Sequence, residues 1–333
     1  MKTPHKVVLA LAAALAALAL GTFVGSASIR PMDALWVLVG RSEALPEVAR
    51  SILLKIRLPR VLMAFCVGAA LSMSGTVMQS VLRNALASSY TLGVSSGASL
   101  GAALSILLGL AGLFVRPLMG FAFGMATVLL AMGLTSALDH SMEGNTIVLV
   151  GMVFSLFVNA VLTLITALSS EHLKELVFWQ MGSFAGHGYV QVATMAAVSA
   201  VTMLVLMRFA WELDLMTFGD EQAESTGVAV RRVKWTLIAL GALQTGVAVA
   251  FTGTVGFIDL IAPHLVRRMF GARHRIVLPM AALLGGAFMV LCDLVARTVL
   301  APIELPVGAV TALVGAPFFA YVYFSRRRRA ARI

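Results

Sequence analysis

Long apolar runs, separated by short polar segments, dominate the chain. A helix needs about 20 apolar residues to cross the ~30 Å hydrocarbon core of a membrane. The predicted spans, in chain order, are Val7–Val24, Leu58–Leu82, Gly93–Leu113, Leu118–Leu138, Thr146–Leu168, Val192–Phe209, Trp235–Phe251, Val255–Phe270, Ile276–Ala296 and Val307–Phe324. The pattern predicts an all-α polytopic membrane protein of about ten transmembrane helices. It leaves no room for a second domain, so residues 1–333 form one transmembrane domain.

Two segments of this pattern need interpretation. Lys2 and Lys6 precede the first apolar run and small residues follow it, which is also the order of a cleavable signal peptide. The run of about 18 residues is long for such a peptide, and we expect it to be retained as the first span. Between the fifth and sixth spans, Trp179 and Tyr189 favour the membrane–water boundary and predict a helix lying at the outer surface.

Charge orients the predicted bundle. Of all residues, 60% are hydrophobic and 12% charged, and the net charge is +10. We attribute this charge to basic cytoplasmic loops and expect no nucleic-acid partner. A cytoplasmic N-terminus places 16 of the 25 basic residues in cytoplasmic segments: Lys2, Lys6, Arg83, Arg208, Arg231, Arg232, Lys234, Arg267, Arg268, Arg273, Arg275, Arg326, Arg327, Arg328, Arg329 and Arg332. The distribution favours cytoplasmic N- and C-termini.

The basic residues left outside are concentrated in one external segment. It carries Arg30, Arg41, Arg50, Lys55, Arg57 and Arg60. Positive charge there opposes the insertion bias and requires an explanation. The arginines either bind lipid phosphate and water, or they form a docking face for an acidic partner, because the guanidinium fork binds carboxylates bidentately.

Several motifs resemble the FecCD-type permease family, the membrane-spanning subunit of ABC importers for ferric siderophores, haem or cobalamin. They are RLPR (57–60), GAALSMSG (68–75), RNALASSYTLGVSSGASLGA (83–102), WQMGSF (179–184), VGFIDLIAPHLVRR (255–268) and ELPVGAVTALVGAPFF (304–319). The resemblance implies a homodimer in the bacterial cytoplasmic (inner) membrane. Its expected partners are two cytoplasmic ATPase subunits, which would bind ATP and Mg, and a periplasmic or lipid-anchored substrate-binding protein. The chain itself would bind no cofactor.

The resemblance also assigns roles at the two membrane surfaces. It implies that Arg57, Arg60 and Arg297 receive glutamates of the binding protein. Asp293 precedes Arg297 by four residues, so the two can pair on one helix face. A second basic group, formed by Arg267, Arg268, Arg273 and Arg275, either contacts the ATPase or maintains the topology.

The loop FGDEQAESTGVAV (218–230) is the predicted ATPase coupling loop. Its residues Gly219, Glu221, Ala223 and Gly227 resemble the family's ATPase contact. A short helix ended by a glycine cap would form a rigid lever there, and a solvated linker is the alternative.

Candidate pathway and packing residues lie within or beside the spans. The family gate corresponds to the loop 141–145, where this chain has Gly144 and Asn145. Asn159 either faces the pathway or makes an interhelical hydrogen bond. One glycine per helical turn predicts close helix packing at Gly93, Gly97 and Gly101.

Other classes of protein remain as alternatives. An ion-coupled secondary transporter would use Asp259 and Asp293 as buried carboxylates, and Asp259 could instead form a salt bridge or a helix cap. The chain has no GxxxxGK[ST], HExxH, GxSxG or CxxC motif, and its histidines are scattered. We therefore expect no catalysis and no metal site, and we expect Cys66 and Cys292 to be small core residues.

Overall fold

The computed structural model describes residues 3–25, 46–110, 112–139, 141–168 and 172–330, with side chains as far as Tyr321. The helices of this part of the chain are α1 (Thr3–Phe23), α2 (Glu47–Val81), α3 (Val94–Leu107), α4 (Val115–Leu138), α5 (Gly144–Leu168), α6 (Leu173–Gln180), α7 (Tyr189–Arg208), α8 (Ala210–Met216), α9 (Asp220–Ser225), α10 (Val230–Thr252), α11 (Ile258–Phe270), α12 (His274–Thr298) and α13 (Val307–Ala330). No strand occurs among the described residues, so the predicted all-α class is confirmed.

Seven of the described helices are long and apolar enough to span a membrane. They are α1, α2, α4, α5, α7, α10 and α12. Helix α3 and the described part of α13 are apolar but shorter. Helix α11 has only 13 residues. The count of ten spans and the cytoplasmic position of both termini therefore stay predictions.

Two predicted spans are shorter than expected because the backbone leaves the helical region beside them. The third was predicted to reach Leu113, but α3 ends at Leu107 and Gly109 follows with φ +60°. The eighth was predicted from Val255, but α11 begins at Ile258, after Gly253 and Phe257 with φ values of +72° and +70°. Left-handed backbone of this kind interrupts a right-handed helix.

The second span was predicted from Leu58, but helix α2 begins at Glu47. Residues Ile52–Arg57 are π-helical, and the Leu58 N–H bonds to the Leu53 carbonyl. Pro59 follows directly, and a proline both lacks an N–H and crowds the preceding turn of a helix. The wider π turns allow the helix to continue past Pro59. Residues 47–55 are therefore helical, although their charge predicted a loop. Arg30 and Arg41 of the predicted external segment lie outside the described residues.

Helix α2 forms the centre of the bundle. From Pro59 to Val81 most of its residues are buried, and it packs against α7, α10, α11 and α12. The approach to α12 is close, because a Cβ at Gly68 would touch the Gly285 carbonyl oxygen. Small residues let membrane helices approach in this way and gain dispersion energy along the seam. Both ends of α2 therefore reach the polar networks described below.

The outer elements support this centre. Helix α1 packs along α12 through Ala14, Ala17 and Ala287. The short helix α6 falls within the segment predicted to lie at the surface, where Arg116 and Glu175 form an exposed ion pair of 2.6 Å. Cys66 and Cys292 are free thiols on the two central helices α2 and α12.

Candidate functional site

The predicted coupling loop and the predicted gate line one cavity. Helices α2, α4 and α7 end, and α5, α10 and α12 begin, at one end of the bundle, which we call the basic end. An open cavity of about 870 Å³ lies there. Its lining includes Ser141, Gly144, Asn145, Gly219, Asp220 and Glu221. Two segments about 75 residues apart in the sequence thus face the same space.

The coupling loop contains a short helix that ends at a glycine. Helix α9 is preceded by Gly219 (φ +129°) and followed by Gly227 (φ +90°). The Gly227 N–H donates to the Glu224 carbonyl at 2.9 Å, and the Val228 N–H donates to the Ala223 carbonyl at 3.1 Å. Ala223 is buried in the core and anchors the helix, whereas Glu221 is exposed. The predicted helix with its glycine cap is confirmed, and its contact with an ATPase stays a prediction.

Lys234 connects the coupling loop to the gate loop. Its side chain is only 1% exposed. Its Nζ donates to the Asp220 carboxylate at 2.7 Å and to the Met142 carbonyl at 2.8 Å. Asp220 belongs to α9 and Met142 lies two residues before Gly144. A buried ammonium is stable only when its donors are satisfied, so both loops are held at fixed positions around it.

The gate loop is also held by its own first residue. Asp139 accepts hydrogen bonds from the Ser141 and Glu143 N–H groups, both at 2.9 Å. The Ser141 hydroxyl donates to the same carboxylate at 2.5 Å. These bonds, led by that from the Ser141 hydroxyl, lower the Asp139 pKa from 3.8 to about 2. At the start of α5, a Cβ on Gly144 would lie 2.7 Å from the Leu82 carbonyl oxygen, so this residue sits directly against the end of α2.

The glycines at four-residue spacing lie where α3 meets α4. A Cβ on Gly97 would lie 2.6 Å from the Phe123 carbonyl oxygen, and one on Gly101 would lie 2.7 Å from the Met119 carbonyl carbon. Gly93 differs, because it precedes α3 with φ +87° and belongs to the turn after the 3₁₀ segment Ser89–Leu92. It is therefore not part of the helical seam that the spacing predicted.

The three predicted docking arginines lie together at the opposite end of the bundle, and all are buried. Arg57, Arg60 and Arg297 are 4%, 7% and 6% exposed. Arg60 pairs with Asp293 at 2.9 Å and with Glu304 at 2.7 Å. Arg297 Nε lies 3.3 Å from Asp293, which confirms the expected pair.

Backbone carbonyls at the end of α1 complete this cluster. Arg57 donates to the Phe23 carbonyl at 3.0 Å, and Arg297 donates to the Gly21 carbonyl. These guanidinium groups are thus engaged within the chain. They do not form the exposed face that an acidic partner could meet directly. Glu304 is the most accessible member of the cluster described here, at 46% exposed, and docking through the arginines stays a prediction.

A chain of buried polar groups, which the sequence did not reveal, runs inward from the basic end. Asp214 lies 2.6 Å from His274 Nδ1, and His274 Nε2 lies 2.6 Å from the Ser80 hydroxyl. Arg267 donates to Ser80 at 3.1 Å and to the Gln79 side chain at 2.5 Å. Arg267 was predicted among residues that contact an ATPase or maintain the topology, but its guanidinium turns into the bundle. The detectable signal was the pair Thr76 and Ser80, spaced for one helix face in an apolar span.

Asp259 and Asp293, the two carboxylates that an ion-coupled transporter would use, belong to different networks. Asp259 is buried in the first turn of α11, where it accepts a hydrogen bond from the Ser88 hydroxyl. Its carboxylate lies at the N-terminal end of the helix, where negative charge is favoured, but the N-cap residue is Phe257 and no side-chain cap bond forms there. Asp293 is held by arginines at the opposite end. They do not meet in one ion site.

Asn159 lies on an exposed face of α5. Leu156 and Phe157 beside it are strongly exposed as well. Within the described chain, this face of α5 packs against no other helix at Asn159, which leaves both a pathway position and a hydrogen bond to a second copy open.

The long apolar helices, with polar networks at their ends, are typical of a multi-pass membrane protein. Comparison with known proteins specifies the family. The model of the FecCD transport family matches residues 11–325. The chain belongs to this family.

Curated relatives and a solved structure agree with this assignment. An uncharacterized ABC transporter permease, YvrB of Bacillus subtilis, is 41% identical over 84% of this chain and 80% of its own. The cobalamin import permease BtuC of Halobacterium salinarum is 37% identical over 86% of this chain and 76% of its own. An inward-facing structure of a metal-chelate type ABC transporter matches with a TM-score of 0.83 and 28% identity, over 97% of this chain and 99% of the other. Further relatives are named as permeases for molybdate and for haemin.

Proposed function

We propose that this chain is the homodimeric permease of an ATP-driven, binding-protein-dependent importer that moves a metal chelate or corrinoid inward. The chain belongs to the FecCD transport family, and its relatives are named as permeases of import systems, which supports a role as the transport component. ATP and Mg would be bound by two cytoplasmic ATPase subunits, and the host membrane would be the bacterial cytoplasmic membrane. The observation that carries this proposal is the ionic link through Lys234 between the coupling loop and the gate loop.

The link gives ATP hydrolysis a route to the pathway. A displacement of α9 by an ATPase moves Asp220, and Asp220 is bonded to Lys234. Lys234 holds the Met142 carbonyl, which lies next to Gly144 and Asn145. Coupling travels through contiguous contacts of this kind when both ends have two discrete arrangements. Small residues at the gate then let two copies meet on a symmetry axis when the pathway is closed.

The cargo is proposed as an iron chelate, haem or cobalamin. The supporting observation is that relatives carry cobalamin and haemin in their names and that the solved neighbour is of metal-chelate type. Substrate delivery by a binding protein would occur at the arginine cluster of the opposite end. A partner glutamate would there replace the exposed Glu304 on Arg60, because both carboxylates suit the same guanidinium.

Purification from the native membrane tests the assembly. Tagged protein is crosslinked in the membrane and its partners are identified by mass spectrometry. We expect a second copy, an ATPase and a solute-binding protein, and the ligand of that binding protein identifies the cargo. In proteoliposomes, uptake should require ATP on the side of the membrane where the ATPase subunits lie. It should persist when the proton gradient is collapsed. Uptake that follows the proton gradient without an ATPase would favour the ion-coupled alternative.

A further inference from the structure

A second cavity at the basic end lies apart from both loops discussed above. It is formed between α1, α11 and α13 and has a volume of about 460 Å³. Lys6 and Leu9 line it from α1, His264, Leu265, Arg268 and Met269 from α11, and Phe318 from α13. We propose that this cavity binds one anionic phospholipid, with its phosphate between Lys6 and Arg268 and an acyl chain along the apolar wall. The inference requires only that the protein belongs to a membrane-spanning family, and it does not depend on the proposed cargo.

The polar rim of the cavity is cationic. Lys6 Nζ donates to the Met269 carbonyl at 2.6 Å, a bond to the last turn of α11 that fixes the ammonium at the rim. An ammonium has three donors, so two remain for another acceptor. Arg268 is exposed and adds a guanidinium, while none of the described residues that line the cavity is acidic. Two cations without a carboxylate at the rim favour an anionic ligand.

Three apolar residues of the lining, Leu9, Leu265 and Phe318, lie deeper along the helices than the two cations. Lys6 directly precedes the apolar run of α1, and Leu9 is one turn further in. Leu9 and Leu265 are exposed, and Phe318 is half-buried, so together they form an open wall. The cations therefore lie at the level of lipid headgroups and the wall at the level of the upper acyl chain. A soluble anion would use the rim only, whereas a phospholipid uses both parts.

Charge and depth also favour lipid over a protein partner. A cytoplasmic protein would have to reach Leu9 within the apolar run of α1, where the surrounding medium is hydrocarbon. Basic pockets between membrane helices on this side are typical sites for anionic headgroups. Binding there would join the start of α1 to the end of α11, the helix that carries Arg267 of the buried polar chain.

Native mass spectrometry of the delipidated full-length protein tests the site. The protein is mixed with equal amounts of dioleoylphosphatidylglycerol and dioleoylphosphatidylcholine, and bound lipid is counted. We expect wild type to prefer the phosphatidylglycerol by about thirtyfold, since both basic groups of the rim attract an anionic headgroup. The double variant Lys6→Gln/Arg268→Gln should lose that preference. The double variant Arg273→Gln/Arg275→Gln removes the same charge from the same end outside the cavity and should retain it.

Two further variants separate the rim from the wall and from misfolding. Leu265→Trp fills the wall without changing charge, and we expect it to lower phosphatidylglycerol retention several-fold. Lys6→Arg preserves the cation and should bind like wild type. All variants are compared for thermal midpoint in phosphatidylcholine, where no difference from wild type is expected.

Four results would overturn the proposal. These are equal loss of preference in the Arg273/Arg275 control, undiminished binding by Leu265→Trp, and displacement of the lipid by millimolar inorganic phosphate, which would indicate a free-anion site. The fourth is a change in dimer or ATPase recovery from Lys6→Gln/Arg268→Gln with lipid binding unaltered, which would indicate a protein contact.

Discussion

Single glycines determine how closely several helices of the bundle approach. Gly97 and Gly101 place α3 against backbone atoms of α4, and Gly68 places α2 against Gly285 of α12. The regular spacing of Gly97 and Gly101 made the first contact predictable. Gly68 and Gly285 are far apart in the sequence, and no local pattern could indicate that they meet.

Adding a methyl group tests the α3–α4 contact. Gly101→Ala would place its Cβ against the Met119 carbonyl, and rigid backbone cannot move aside easily. We expect a loss of about 1–3 kcal/mol in the free energy of unfolding, measured by denaturation in detergent micelles. Gly133→Ala is the matched control, since its Cβ meets nothing within 4 Å on the outer face of α4 and alanine favours helix. Equal loss in both variants would contradict the packing role.

Asp139 predicts a pH dependence of the gate loop. Its pKa is lowered to about 2 by hydrogen bonds to the charged form, so its contribution to stability is present above the ordinary value of 3.8 and is lost as pH falls toward 2. Asp139→Asn removes the charge, and its stability should fall less steeply than that of wild type over this range. Thermal midpoints between pH 5 and pH 2.5 measure the difference. Glu224→Gln, an exposed carboxylate on α9, serves as control and should leave the wild-type slope intact.

At the scale of elements, the short helix α9 and the loop before α5 act as one unit through Lys234. The family resemblance placed the coupling loop at residues 218–230 and the gate at residues 144–145, and the short helix with its Gly227 cap is confirmed. The connection between α9 and the loop before α5 was not predictable. Lys234 stands among basic residues in the sequence, a pattern that indicates a lysine at the membrane–water interface. Only the fold shows that it is buried between two loops.

Breaking this connection should uncouple hydrolysis from transport. Lys234→Met preserves the apolar stem but leaves Asp220 and the Met142 carbonyl without their shared donor. We expect ATP-dependent uptake to fall by about tenfold, as a coupling free energy of 1–3 kcal/mol implies, while ATP hydrolysis by the reconstituted complex continues.

Two variants control for this result. Arg232→Met removes an exposed cation from the same turn of α10 and should leave uptake unchanged. Asp220→Asn keeps the Met142 bond and should give an intermediate loss. If Lys234→Met lowers hydrolysis and uptake in parallel, the residue stabilises the fold and does not couple the loops.

At the scale of the whole molecule, the exposed face of α5 is the candidate contact between two copies. Asn159 lies on it among exposed apolar residues, where a polar side chain in hydrocarbon needs a partner or water. In a background without Cys66 and Cys292, Asn159→Cys should form a disulfide or a short crosslink between copies. Leu130→Cys on the exposed face of α4 should not. Labelling of both cysteines to the same low extent by a water-soluble maleimide, without crosslinking, would place this face in lipid.

The global arrangement could be predicted where it follows from hydrophobicity and charge. The apolar runs indicated α1, α2, α4, α5, α7, α10 and α12 because each run is long enough to be a helix by itself. The ends of α3 and α11 were missed because left-handed residues, Phe257 among them, are not encoded by hydrophobicity. The arginines of the opposite end were found from the sequence, but their burial depends on Asp293 and Glu304 meeting them in the fold.

The π-helical turns of Ile52–Arg57 have a consequence for chain length. A π turn holds one residue more than the α-helical turn that would replace it, so the extra residue acts as an insertion stored inside α2. Deleting Ile56, which is strongly exposed, should shorten the wide turn and leave Glu47–Ser51 and Leu58–Val81 on nearly the faces that they now present. A single-residue deletion elsewhere in α2 would rotate one part of the helix by about 100° relative to the other, so that its buried residues would no longer face the core. Helix α2 is therefore expected to tolerate a change of length at this place alone.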